Sequence, residues 1–131
     1  MADLNVGDAV PELRLTPDKY LPHRYAGASG DFHPIHNDRE VSQQVGLPSN
    51  ILHGLDSRAQ VARGCTQAAG GDPRSLRRLS VQFRGMGLPE QEIVVKGSET
   101  GQSNGRTVVA LEAAQGDNKI IKNAEAELSS A

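Results

Sequence analysis

The 131-residue chain has no tryptophan and only two tyrosines and two phenylalanines, so aromatics make up 3% of it. A core must therefore be assembled from Leu, Val, Ile and Ala, which bury less area per residue than aromatic rings. That scarcity leaves room for a subunit interface to supply part of the stability. A single cysteine, Cys65, excludes an intrachain disulfide framework and suits a reducing compartment. No histidine neighbours it in sequence, so Cys65 reads as a small packed side chain rather than a nucleophile. No apolar run is long enough to span a bilayer, and the opening MADLNVGDAVPEL has no basic n-region. These absences predict a soluble cytoplasmic protein with no membrane partner. Neither sign of charge dominates: 14 Lys and Arg stand against 16 Asp and Glu, a net charge of −2. The one basic cluster, Arg74 with Arg77 and Arg78, lacks interleaved aromatics and reads as a solvated strand edge. Nucleic acid is accordingly not an expected partner. Repeats, low-complexity segments and linkers are missing too, and the length suits one domain, residues 1–131.

What is present divides into a loop-and-helix half and a strand half. Residues 10–16 alternate well enough for a short first strand. Thr16-Pro17-Asp18 offers a helix start, but Pro22 moves the helical part to about Leu21, ending near Gly30. The segment DFHPIH, residues 31–36, reads as irregular, because Pro34 lacks an N–H and pushes His33 out of the helical region. Asn37-Asp38-Arg39-Glu40 has the form of a capping box opening a short helix that stops at Gly46. A longer helix is predicted from about Leu55 to Ala69, with Leu55, Ala59, Ala62, Cys65 and Ala69 at helical spacing. From residue 76 the period becomes two: Leu79, Val81 and Phe83, then Val109, Leu111 and Ala113, then Ala124, Ala126 and Leu128. Turns at Ser103-Asn104-Gly105 and Gln115-Gly116-Asp117-Asn118 separate such runs. Four strands in meander order follow (about 76–85, 91–100, 106–115 and 118–129). Their shared apolar face needs a cover, and the 55–69 helix is the element long enough to supply it.

Three of the four histidines, His33, His36 and His53, fall within 21 residues together with Asp31, in the least regular part of the chain. Loops held by rigid elements are where catalytic groups concentrate. Asp31 and His36 bracket a proline turn that can aim both side chains at one point. Carboxyl and imidazole groups ordinarily titrate near about 3.9 and 6.5, so such a pair can take and give a proton near neutral pH. Gly54, at the mouth of a helix, offers a backbone N–H with positive dipole character to a developing oxyanion. Two blander readings compete. Asp31 can be an ordinary turn residue, and Asp31, His33, His36 and His53 can be read as metal ligands. The metal reading finds no Cys pair and no H-E-x-x-H signature.

The string YAGASGDFHPIHNDREVSQQVGLPSNILHG, Tyr25 to Gly54, resembles the hydratase-2 motif of MaoC-like dehydratases and (R)-specific enoyl-CoA hydratases. That motif runs through an aromatic, a small-residue run, S-G-D, an apolar residue, N-P, an aliphatic and a His, with H-G opening the central helix. Ser29, Gly30, Asp31, Phe32, Pro34, Ile35, His36, His53 and Gly54 match in order and spacing. VQFRGMGLPEQEI resembles the family's strand ending in an F-x-x-P-V-like turn. The resemblance implies an α+β hot-dog fold, an antiparallel β-sheet wrapped around a central α-helix. It further implies that Asp31 and His36 activate a water for syn addition to a trans-2-enoyl thioester, giving an (R)-3-hydroxyacyl thioester. In that scheme Gly54 N–H polarises the thioester carbonyl, and His53, His33, Asp56 and Arg58 are candidate substrate-binding residues. No metal or redox cofactor is implied, since the coenzyme A or acyl-carrier-protein arm is part of the substrate. A homodimer is the implied assembly, or a heteromer with a related hot-dog subunit.

Two departures from the family pattern bear on the substrate. His33 stands where the family usually has Asn, placing a larger, titratable group in the loop. The central helix is also unusually polar, with Asp56, Ser57, Arg58, Gln60 and Arg63. It has either a solvated, salt-bridged face, a pocket for a polar acyl end touched by Asp56 and Arg58, or a partner surface. A hot-dog protein of changed role is the alternative: a partner subunit of a heteromeric hydratase, or an isomerase or cyclase of a specialised pathway. A hot-dog thioesterase is disfavoured, because those enzymes lack this Asp-to-His string.

Overall fold

The computed structural model describes residues 5–129. The ends of the expected 1–131 domain, residues 1–4 and 130–131, therefore lie outside the described residues. Five strands, β1 (Leu13–Leu15), β2 (Leu76–Phe83), β3 (Ile93–Ser103), β4 (Arg106–Gln115) and β5 (Asn118–Leu128), form one antiparallel sheet in the order β1-β3-β4-β5-β2. Four helices precede the long strands: α1 (Leu21–Ser29), α2 (Pro34–Asn37), α3 (Arg39–Gln44) and α4 (Gly54–Ala68). This is the hot-dog arrangement, with α4 lying in the concave face of the sheet.

The core forms where α4 meets that face. Val61, Cys65, Ala68 and Ala69 pack with Ile93 and Val95 of β3, Val109, Leu111 and Ala113 of β4, and Ile121, Ala124, Ala126 and Leu128 of β5. β3 and β4 contribute alternate residues, as the period of two requires, and β5 does so from Ala124 on, its alternation broken at Asn123, where φ is 51°. Small residues let the layers close. A Cβ on Gly64 would lie 3.0 Å from Val95 Cγ1, so α4 approaches β3 more nearly than alanine would permit. The β3–β4 turn uses Asn104 and Gly105 at φ 52° and 76°, both in the left-handed region that a two-residue hairpin demands.

Four local expectations are revised. The strands are not a simple meander, because β2 pairs with β5 rather than with β3. The connection after β2 crosses past two strands and is strapped down by side chains: Gln115 bonds Leu88 and Gln91, and Asn118 bonds Met86 O. Alternation tells which face a residue takes but not which strand lies beside it. The DFHPIH segment does contain a helical turn, because Pro34 occupies the first helical position, where no N–H is required. The next helix is capped by Asp38, whose Oδ1 accepts from Val41 N at 3.1 Å, not by Asn37. Finally, α4 faces inward through Ser57, Val61, Gly64, Cys65 and Ala68, whereas Leu55 is 62% exposed and Ala59 is also exposed. Its N-terminal turn lies against Phe83 of β2 at Gly54, and it buries Asp56 and Ser57 where apolarity would have put Leu55.

Candidate active site

The site is built by three helix ends and the loops between them. α1 stops at Gly30, whose φ of 81° turns the chain sharply, and its N–H closes on Ala26 O. Asp31 follows, with its N–H donating to Ser29 Oγ at 3.2 Å and its Oδ1 accepting from His33 N at 3.3 Å. α2 then carries His36 into the interior. His36 Nδ1 lies 2.8 Å from Ile51 O. A carbonyl oxygen only accepts, so Nδ1 carries the hydrogen and the neutral ring offers its Nε2 lone pair. That Nε2 points to Asp31 Oδ2 at 3.7 Å. The gap exceeds a direct hydrogen bond and is of the size one water can bridge. The imidazole is buried, while the carboxylate is half-exposed, its side chain 51% accessible.

His53, the residue before α4, supports both partners. Its ring stacks on His36 at 3.9 Å between centroids and 21° between planes, and Tyr25 packs beside it at 4.6 Å. His53 Nε2 lies 3.0 Å from the Asp31 carbonyl oxygen and so donates to it. His53 Nδ1 is buried with no hydrogen-bond partner among the described residues. Asn50 Nδ2 adds a bond to His36 O at 2.9 Å. Asp31, His36 and His53 each place one metal-ligating atom within 4.8 Å of the others. The two rings are stacked, however, and His53 Nε2 is committed to a carbonyl, as is His36 Nδ1. A cation held at about 2.0–2.1 Å from each nitrogen would have to open this stack.

A cavity of about 320 Å³ opens beside the pair, lined by Tyr25, Ser29, Asp31, His53, Gly54, Leu55 and Phe83. Gly54 begins the 15-residue α4, so its N–H is one of the unpaired donors of the helix start. Phe83 covers it: a Cβ on Gly54 would lie 3.3 Å from the Phe83 ring. Of the other residues singled out in sequence, Asp56 is buried on the first turn of α4, its Oδ1 near Gln60 Nε2 at 3.4 Å. Burial pushes its carboxyl above the ordinary value, against smaller opposing effects of Gln60 and His53. Arg58 and Arg63 are exposed, and Arg63 bonds Gln60. Arg58 and His33 are not among the cavity-lining residues; His33 holds the loop from outside. Sequence reading did not single out Leu55 or Phe83 as part of a site. The available signal was Phe83 itself, one of two phenylalanines, placed on the inward face of β2 and half-exposed there.

An antiparallel sheet wrapped on one helix defines a hot-dog domain, here with a carboxylate and an imidazole facing each other near that helix's mouth. The MaoC like domain family matches residues 6–119, and the chain belongs to that family. The fatty acid synthase subunit beta of Saccharomyces cerevisiae is 32% identical over 129 residues, 95% of this chain and 6% of that protein. The peroxisomal enoyl-CoA hydratase 2 of Arabidopsis thaliana is 30% identical over 88 residues, 66% of this chain and 28% of that protein. The chain thus spans only a small part of the curated relatives it matches. In fold it superposes on the (R)-hydratase from A. caviae involved in PHA biosynthesis with a TM-score of 0.87 at 18% identity, covering all of both chains.

Proposed function

We propose that the protein hydrates trans-2-enoyl thioesters to (R)-3-hydroxyacyl thioesters, or runs the reverse dehydration, with Asp31 and His36 as the acid–base pair. The observation that carries this reading is the pair's geometry. An imidazole with its tautomer fixed by Ile51 O faces the Asp31 carboxylate across 3.7 Å, and Asp31 lines a cavity that also presents Gly54. A water held between Oδ2 and Nε2 would lose a proton to the pair as its oxygen bonds C3, and the pair would deliver a proton to C2. Gly54 N–H would stabilise the enolate oxygen that develops on the thioester carbonyl. The arm of coenzyme A or phosphopantetheine belongs to the substrate, and the scheme uses no metal or redox cofactor. The names of the two hydratases and the synthase subunits that resemble this chain support the same chemistry.

A homodimer is part of the proposal. Among the described residues β2 is hydrogen-bonded only to β5, leaving one edge open, and Phe32, Leu55 and Phe83 are exposed near the cavity. A second copy joining at this edge would cover them. A cytoplasmic location is proposed as well, since the lone buried thiol of Cys65 suits a reducing compartment; no helix among the described residues is long and apolar enough to cross a membrane.

The reading is tested by following loss of enone absorbance with crotonyl-CoA and longer enoyl-CoAs. Wild type is expected to react near neutral pH, and Asp31→Asn and His36→Ala each to lose at least about 100-fold in rate. Full activity in both variants would remove the pair from the mechanism.

A further inference from the structure

We propose that His33 is a positioning residue that keeps Asp31 and His36 in register only while its imidazole is neutral. This inference rests on the reading of Asp31 and His36 as the reacting pair. At the start of α2, Pro34 has no N–H, and the N–H of His36 reaches His33 O at 3.0 Å. Ile35 N–H, by contrast, has no backbone acceptor in the turn and takes a side-chain one. His33 supplies it: Nδ1 accepts from Ile35 N at 3.2 Å. An imidazole accepts only through an unprotonated nitrogen, so the cap requires the neutral ring with its hydrogen on Nε2.

The same residue grips the other half of the pair. Its backbone N–H donates to Asp31 Oδ1 at 3.3 Å, while Asp31 Oδ2 faces His36. One residue thus ties the carboxylate on one side and the helix bearing the imidazole on the other. The asparagine usual at this position in the family would offer a carbonyl oxygen, an acceptor at every pH. This chain has in its place an acceptor that is lost when the ring takes a proton.

Protonation has two consequences of the same sign. The cap is lost, because Nδ1 then carries a hydrogen. The exposed imidazolium is also drawn to the adjacent Asp31 carboxylate, in competition with His36. The ionisable groups around His33 are Asp31 in its own loop, His36 edge-on at 6.4 Å between ring centroids, and His53 stacked beyond His36. Nδ1 accepts only while it is unprotonated, so the cap is present with the neutral ring and lost when acid protonates it.

The test pairs a structural readout with a kinetic one. In the intact protein, the Ile35 amide resonance is followed by NMR against pH in wild type and His33→Asn. It is expected to move with the His33 ring titration in wild type and to lose that component in the variant. In enoyl-CoA hydration, His33→Ala is expected to lower kcat about tenfold at pH 8, and His33→Asn to restore it. The acid limb of kcat should need more than one proton in wild type and a single proton in His33→Asn. An Ile35 amide indifferent to the His33 titration, a His33→Ala enzyme with wild-type kcat, or an unchanged acid limb in His33→Asn overturns the proposal. If no enoyl-CoA is hydrated at any pH, the functional reading fails, while the Ile35 titration still decides the cap.

Discussion

Asp31 and His36 are held by unequal means. The imidazole is buried, bonded to Ile51 O and stacked on His53, so its orientation is fixed by packing; the carboxylate is half-exposed and held by His33 N–H, while Ser29 Oγ accepts from the Asp31 backbone. That asymmetry suits a pair in which one member defines the geometry and the other meets solvent and substrate. Its candidate status was legible from spacing alone, since a proline turn between an Asp and a His brings them together. The support by His53 was not, because a stack of two rings seventeen positions apart leaves no trace in local sequence. Asp56, a candidate contact for a polar acyl end, is buried on α4 with its carboxyl raised by desolvation. A carboxyl raised in the fold favours folding while protonated and opposes it as pH rises through the raised value. Asp56→Asn is therefore expected to raise Tm at pH 7–8, by an amount that shrinks as pH falls toward the ordinary carboxyl range near about 3.9. A lower Tm at neutral pH would contradict this account. Cys65 is settled by the same physics, its thiol buried beneath the sheet and pushed up to about 12, which leaves it no thiolate to act as a nucleophile.

Among the elements, glycines separate stability from chemistry. A Cβ on Gly97, in β3, would lie 2.0 Å from Ala110 O and 2.9 Å from Leu111 Cα, both backbone atoms of β4. Neither can yield without opening the ladder, so Gly97→Ala is expected to cost about 3 kcal/mol or more in denaturant unfolding. Gly54→Ala meets only the half-exposed ring of Phe83, which can turn aside. It should fold normally and lose activity, because its methyl group enters the cavity. Equal stability of Gly97→Ala and wild type would show that β3 and β4 are less closely apposed than described. Element boundaries were legible where the backbone is constrained, at Gly30 and at Asn104-Gly105. Strand neighbours were not, since β2 and β3 carry inward patterns that fit a meander equally well. The inward face of α4 is not legible for a related reason: hydrophobicity marks what prefers burial, yet the first turn buries Asp56 and Ser57 and leaves Leu55 exposed.

At the scale of the whole molecule, the scarcity of aromatics finds its counterpart in an open edge. β2 ends the sheet with one side unpaired, and the exposed Phe83 and Leu55 stand at the cavity it borders. We expect light scattering to give twice the 14.0 kDa chain mass, and a monomer at micromolar concentration would contradict the edge-to-edge assembly. The central claim, that Asp31 and His36 act as one unit on one water, is tested most directly by a double-mutant cycle. Enoyl-CoA hydration would be measured for Asp31→Asn, His36→Ala and the double variant. If the two groups share a single proton-transfer step, the double variant should be no slower than the worse single variant, because either loss already disables the unit. Losses that multiply, or a single variant that retains full activity, would show that the two residues act independently and that this pair is not the catalytic centre.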